Sequence, residues 1–280
     1  MTRPTRILLA ALPSLLAVPA AAQTQGPEPS VFDGDFITLG AGLAYGPNYE
    51  GADEGAVYPL GGVMGRIGPV AVNPRIAGLA LDVIPDFGSK VSISLGPVAR
   101  ARLERTRRVK DRAVAALGKR DTAVEAGGTA GISINRLTNP YDSLSFSMDV
   151  RWDIAGAHRG AVVAPSITYL TPLSRGTAAV LNLSAEHVDG DYARYYYDVT
   201  PAGAAASGLP VYSAHGGWKS AGATLMGVVD LDGDLMNGGF ALVGGVSYSR
   251  LLGSVRRSPI VAQRGADDQL VGALGVAFTF

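Results

Sequence analysis

Residues 142 to 154 alternate with a strict period of two. Leu144, Phe146, Met148, Val150, Trp152 and Ile154 are apolar, while Ser143, Ser145, Ser147, Asp149, Arg151 and Asp153 are hydroxylic or charged. Successive side chains of a strand point to opposite faces, so this strand has one greasy face and one polar face. Residues 269 to 280 repeat the arrangement. Leu270, Gly272, Leu274, Val276, Phe278 and Phe280 oppose Gln269, Val271, Ala273, Gly275, Ala277 and Thr279. A strand of about ten residues with one apolar face is the unit of a transmembrane β-barrel. A soluble β-sandwich also alternates. Recurrence of the pattern down the whole chain, behind an export signal, separates the two.

The N-terminus reads as that signal. Arg3 and Arg6 form a positive region, Ile7 to Val18 an apolar one, and Ala20-Ala21-Ala22 a small-residue cleavage site. An uncleaved anchor helix is disfavoured, because the run is short and Pro13 interrupts it. Without a cysteine at the cleavage site there is no lipoprotein anchor. The chain has no cysteine at all, which excludes disulfides, thiol catalysis and cysteine-ligated metals. Lys plus Arg and Asp plus Glu number 24 each, so there is no basic footprint for nucleic acid. After residue 22, no apolar stretch reaches the ~18 residues of a spanning helix. Mean hydropathy is still +0.20, with only 17% charged residues. A lipid-facing barrel combines these properties, since each strand gives lipid only half its residues. Small inner residues, drawn from 37 glycines, leave room in the lumen.

Alternating segments lie near 36–46, 56–66, 69–83, 90–103, 122–136, 142–154, 161–171, 177–188, 218–229, 239–250 and 269–280. An odd number conflicts with periplasmic termini at both ends. Splitting 69–83 at a turn around Asn73-Pro74-Arg75 restores parity. The expectation is an all-β, closed antiparallel transmembrane barrel of about twelve strands, within a range of about 10–14. Its parts are a signal peptide (1–22), a flexible periplasmic lead-in (23–34) and the barrel (35–280). Long polar links at 104–121, 189–217 and 251–268 face outside, by the rule that outer loops are the longer ones. In the second link, Thr200 caps, Pro201 opens and Gly208 stops a short helix near 200–208. Ala113 to Leu117 suggests another helical turn.

Few residues suggest chemistry. His158 and His187 at strand borders and His215 in a loop read as surface histidines; no nucleophile motif accompanies them. No two share a metal-ligand spacing, and no cofactor is expected. Asp230, Asp232 and Asp234 lack the later Gly and Glu of a calcium loop, and read as a tight periplasmic turn. Arg100, Arg102, Glu104, Glu125, Asp149, Arg151 and Asp153 fall on polar faces. They read as lumen charges that plug the barrel with ion pairs, in preference to a solute-selecting constriction. Tyr195, Tyr196, Tyr197 and Tyr212 are interaction candidates. They would pack their loop onto the barrel mouth or present it to a partner.

The loop Tyr195-Tyr196-Tyr197-Asp198-Val199-Thr200-Pro201, running on to Leu209-Pro210-Val211-Tyr212, resembles a signature of the MipA/OmpV family, named for the MltA-interacting protein. So do Ser249-Arg250-Leu251-Leu252-Gly253, Ser258-Pro259-Ile260-Val261 and the first loop, Tyr45-Gly46-Pro47-Asn48-Tyr49-Glu50-Gly51-Ala52-Asp53. The sequence departs from the pattern at Val255-Arg256-Arg257 and in the basic stretch 105–120. The resemblance implies a barrel of the Gram-negative outer membrane. It also implies a non-enzymatic scaffold bringing a lytic transglycosylase together with a bifunctional murein synthase. The alternative is a transport or surface-binding barrel contacting solutes or lipopolysaccharide, which the Arg and Lys residues at 105–120 favour. Outer-membrane lipid and lipopolysaccharide are the expected surroundings.

Phe280 resembles the C-terminal aromatic assembly signal of such barrels. Its deletion is expected to reduce the fraction inserted into membranes more than the thermal stability of the fraction that does insert. Pulse-labelled assembly and heat-modifiable gel migration measure the two separately.

Overall fold

The computed structural model describes residues 30–85 and 88–280. The signal peptide expected at 1–22 and most of the lead-in expected at 23–34 lie outside the described residues. The lead-in ends in a 3-10 turn, Val31–Asp33, capped by the Ser30 hydroxyl. The Val31 N–H donates to Met236 O at 2.8 Å, which ties this turn to the barrel rim.

Twelve antiparallel strands close into one barrel. They are β1 (Phe36–Pro47), β2 (Gly55–Ile67), β3 (Val70–Arg75), β4 (Gly78–Asp82), β5 (Val91–Arg102), β6 (Ala123–Asn135), β7 (Ser143–Asp153), β8 (Ala161–Ser174), β9 (Thr177–Val188), β10 (Gly217–Asp230), β11 (Gly239–Leu251) and β12 (Asp268–Thr279). Each strand pairs with its neighbours in sequence, and β1 pairs with β12 to close the wall. Closure gives every strand a paired neighbour on both sides over at least part of its length, which limits the edges that lipid could not solvate.

The segment 69–83 does split in two, but at a different place. Asn73, Pro74 and Arg75 belong to β3, and the turn falls at Ile76–Ala77, with Ala77 in the left-handed region at φ 54. Proline is tolerated in β3 because the β2–β3 ladder has already ended at Gly65 and Val72.

The register puts Phe146, Met148, Trp152, Leu274 and Val276 on the exposed outer face, with Val150 and Phe278 on that face and partly covered. Tyr45, Trp152, Trp218 and Tyr248 mark one end of the apolar band. Phe240 and Phe278, 4.5 Å apart between ring centroids, mark the other. Such girdles sit at the two membrane interfaces. The Phe280 N–H donates to Ile37 O at 2.9 Å, and its ring lies 4.7 Å from that of Phe278.

The inner face is a ladder of small hydroxyls towards the end that holds both β1's start and β12's end. Cross-strand pairs include Thr38 with Thr279, Ser133 with Ser145 and Thr224 with Ser247, each at 2.8 Å. Side chains there are partly accessible, so this half of the lumen is a cup.

The long links gather at the other end, which the loop-length rule makes extracellular. They carry α1 (Arg112–Ala116), α2 (Gly190–Tyr197), α3 (Pro201–Ser207), α4 (Gly253–Arg257) and α5 (Pro259–Ala262). Thr200 caps α3 through the Gly203 N–H, and Gly208 ends it at φ 76. Together these links form a cap with an apolar core of its own. Tyr49, Val114, Val199, Leu209 and Ile260 make one cluster; Val162, Tyr192, Tyr196, Tyr197, Leu251 and Val261 make the other. At the opposite rim Asp230 accepts the N–H groups of Asp232, Gly233 and Asp234, giving a tight turn.

Arginine at Met148, mid-strand on the lipid face, should destabilise the barrel by about 2–4 kcal/mol. Arginine at Ser147, which faces the lumen, should cost much less. Denaturant unfolding in vesicles tests this, and equal losses would place the register one residue off.

Candidate functional site

Beneath the cap, six strands and two links send charged side chains to one layer across the lumen. Arg102 Nε donates to Glu125 Oε1 at 2.6 Å, and Arg151 Nε to Glu125 Oε2 at 3.1 Å. Arg151 Nη1 donates to Asp149 at 3.0 Å. Asp149 also receives a two-pronged contact from Arg75, at 2.8 and 3.1 Å. Glu186 collects Arg100 and Arg102, each at 3.1 Å, and Arg151 at 3.3 Å. Lys219 Nζ sits 2.5 Å from both Glu186 and Glu50. Glu104 accepts the Glu50 N–H at 2.8 Å. The layer thus holds five cations (Arg75, Arg100, Arg102, Arg151, Lys219) and five carboxylates (Glu50, Glu104, Glu125, Asp149, Glu186). Charges this deep persist only when paired and hydrogen-bonded, and Glu125, Arg102, Arg151 and Lys219 are at most 2% exposed.

Asp153 does not join this layer, although its position on β7 suggested a lumen charge. It is the last residue of its strand, and its carboxylate accepts the N–H groups of Ala155, His158 and Arg159. It shapes the β7–β8 link instead. Sequence reading placed Glu104 beside Arg100 and Arg102 on a polar face but missed Arg75, Glu186, Lys219 and Glu50. Alternation along β9 could have found Glu186. Lys219 is hidden by a bulge between Trp218 and Ser220 that shifts the register.

The tyrosines roof the layer. Tyr195, Tyr196 and Tyr197 lie on α2, an element missed because Gly190 and three tyrosines are weak helix formers. Asp189 caps it through the Tyr192 N–H. The Tyr192 ring lies under the Arg102 guanidinium at 4.9 Å and faces Lys219 at 5.5 Å. Tyr197 donates its hydroxyl to Glu50 at 2.8 Å. Tyr212 donates to Ser254 O at 2.7 Å. Of the four interaction candidates, Tyr196 and Tyr197 are buried inside the cap, whereas Tyr195 and Tyr212 keep partial exposure. Buried rings cannot meet a partner unless the cap opens.

His158 is likewise not a surface residue. It is 3% exposed, packs on Tyr192 at 5.0 Å, and lies with Nε2 3.4 Å from Glu125. The Gly160 N–H donates to Nδ1, so the neutral ring carries its proton on Nε2, facing the carboxylate. His187 stacks edge-on against Trp218 on the outer face. Among the described residues, no group of His, Asp and Glu is arranged to hold a metal ion.

The basic stretch 105–120 has two roles. Arg105 donates to Tyr196 O at 2.8 Å and Arg120 to Tyr195 O at 2.7 Å; Ser258 donates to Tyr197 O at 2.7 Å. These donors satisfy the last carbonyls of α2, which have no partner within the helix. Burial pushes the Arg105 guanidinium down to about 10, and Arg120 beside it adds to the shift. Arg107, Arg108, Arg112 and Lys119 stay exposed on the cap.

The fold and this closed lumen define an outer-membrane β-barrel. The chain belongs to the family described as MltA-interacting protein MipA, whose profile matches residues 39–280. No curated protein matches it. Among solved structures, it is similar to an outer-membrane channel from Pseudomonas putida F1, at 13% identity and TM-score 0.45, over 94% of this chain and 100% of the other. The CymD monoaromatic hydrocarbon channel is similar at 13% identity and TM-score 0.41, over 88% of this chain and 89% of the other.

Glu50 and Glu104 titrate in opposite senses. Burial pushes Glu50 up, but Lys219 and Arg102 outweigh it and hold the carboxyl below its ordinary value. Burial and the neighbouring Glu50 hold Glu104 above its own. A lowered carboxylate contributes stability above its unfolded value, which is lost as pH falls through the folded value. A raised one costs stability at neutral pH, and the cost is relieved as pH falls through its folded value. Glu50→Gln should therefore lower the temperature of barrel opening at pH 7, and Glu104→Gln should raise it. Both differences from the unsubstituted protein should shrink towards pH 4, as read by heat-modifiable migration across a pH series.

Proposed function

We propose that the protein is a non-enzymatic outer-membrane scaffold that holds murein enzymes at the periplasmic face of the membrane. One observation carries this reading. The ten-charge layer and the loop cap block the barrel along its axis, so the periplasm meets a blind cup and a rim of short turns. A barrel closed in this way is a poor axial pore and a stable anchor. The family's name describes a protein that interacts with MltA, and the resemblance points to a lytic transglycosylase and a bifunctional murein synthase as partners. Short turns such as 136–142 and 231–238, together with the tethered segment at Val31–Asp33, are the surfaces available to them.

Crosslinking in intact cells followed by pull-down of this barrel should recover a lytic transglycosylase or a murein synthase. Purified barrels in planar bilayers should show little ion conductance. Absence of both enzymes from the pull-down, together with steady conductance, would replace the scaffold by a transport barrel.

A further inference from the structure

The barrel wall is not equally closed all the way round. The β1–β2 ladder runs from Phe36 opposite Arg66 to Pro47 opposite Gly55. On its other side β2 pairs with β3 only at Gly65, Arg66 and Ile67. The next rungs would oppose Asn73 and Pro74, and proline has no N–H to donate to a ladder. The β3–β4 hairpin then turns back at Ile76–Ala77, level with Arg100 and Ala101 on β5. Above that turn β2 continues from Gly61 to Gly55 with β1 on one side and no strand on the other.

Accessibility shows the same gap independently. Every residue from Pro59 to Met64 is exposed, on both faces of the strand. Leu60 and Met64 point into the lumen, yet they are 43% and 39% exposed, as open as the outward Val63 at 36%. A side chain added at Gly62 would meet nothing within 4 Å.

The gap lies inside the apolar band. The outward residues of β1 opposite this stretch are Leu39, Ala41, Leu43 and Tyr45, and Tyr45 belongs to the outer girdle. Its roof is the 108–110 segment. There Lys110 Nζ contacts the Gly55 carbonyl, and the Lys110 N–H donates to Asn48 Oδ1 at 3.0 Å. Its sill is the hairpin tip, where Ile76 is 79% exposed. Unpaired backbone groups cannot face hydrocarbon without a large penalty, so the bare β2 edge must be wetted or covered. On the lumen side this edge is flanked by the inward Tyr58, Leu60 and Met64.

We propose that this gap is a lateral portal, through which small, largely apolar molecules with one polar end pass between the lumen cup and the outer leaflet. The apolar lining suits the body of such a molecule, and the bare backbone edge suits its polar end. The route leaves through the wall between the cap and Arg75 of the charge layer, and so does not follow the axis that they block. It does not rest on the scaffold reading, and the two can fail separately.

The test is uptake of an apolar fluorophore, N-phenylnaphthylamine, by cells lacking this chain and resupplied with it. The full chain should raise the uptake rate severalfold. Continuing the β2–β3 register sets Val63 beside Pro74, both facing outward, and the chain has no native cysteine. Oxidised V63C/P74C should return uptake to background, and reduction should restore it. Gly61→Trp obstructs the same gap without a disulfide, and its folding is verified by heat-modifiable migration. No rise with the unsubstituted chain overturns the portal. So does unchanged uptake in the oxidised pair or, if the bridge does not form, in folded Gly61→Trp. A photocrosslinker at Val63 that captures one protein species in stoichiometric yield would make the gap a docking edge and overturn the portal as well. Pull-down of murein enzymes should be the same for all these variants.

Discussion

Glu125 is the constraint around which the extracellular half of the barrel is organised. Its carboxylate is fully buried, and it is held by Arg102 on one oxygen and Arg151 on the other. Neither arginine keeps its charge buried in that position without a partner carboxylate to offset the desolvation. Each therefore reaches a second carboxylate, Glu186 or Asp149, and Glu186 in turn requires Lys219. Lys219 then reaches Glu50, which lies on the β1–β2 link and not on a strand. Pairing thus propagates from the wall into the cap. Tyr197 on Glu50 and Tyr192 under Arg102 extend it to α2. The plug and the barrel are one electrostatic unit, so loosening a loop would strand a charge in the interior.

This coupling explains why the cap is ordered without disulfides. Long polar loops ordinarily lose too much chain entropy to adopt one structure. Here each link brings an anchor into a buried network. The 103–122 link brings Arg105 and Arg120 to the carbonyl end of α2, the 189–216 link brings the tyrosines, and the 252–267 link brings Ser258. The basic stretch that suggested contact with lipopolysaccharide is therefore partly internal. Its remaining exposed members, Arg107, Arg108, Lys110, Arg112 and Lys119, are the ones a phosphate-bearing surface could meet.

Strands were legible in the sequence because a lipid face and a lumen face impose a period of two on every crossing, as on β7 and β12. The number of strands was legible through the parity of the ends. The position of the Ile76–Ala77 turn was not, since Asn73-Pro74 is a stronger local turn signal than Ile-Ala. Helix α3 was legible because Thr200, Pro201 and Gly208 mark its ends. Helix α2 was not, because its stability comes from Arg105, Arg120 and Ser258, which lie far away in sequence. The candidate site divides in the same way. Arg102, Glu125, Asp149 and Arg151 follow from alternation alone. Lys219 sits at a bulge and Glu50 in a link, and only tertiary packing brings them to the layer. His158 looked like a loop residue because burial by Tyr192 and Tyr196 cannot be read locally.

The short β3–β4 hairpin raises a physical question that the charge layer answers. With few rungs to either neighbour, it should fray as any marginal two-stranded unit does. It carries Arg75 as the last residue of β3, and the guanidinium crosses the lumen to grip Asp149 with two hydrogen bonds. A bidentate arginine–carboxylate contact is among the stronger side-chain interactions. Asp149 is itself fixed by Arg151, so the hairpin tip is tied into the buried charge layer. Backbone pairing withheld at the wall is thus replaced by side-chain pairing across the lumen. The same sequence segment that leaves the β2 edge bare also holds the sill of that gap in place. A gap whose sill is held by a bidentate, partly buried ion pair keeps a defined width, which a gap left by simple fraying would not.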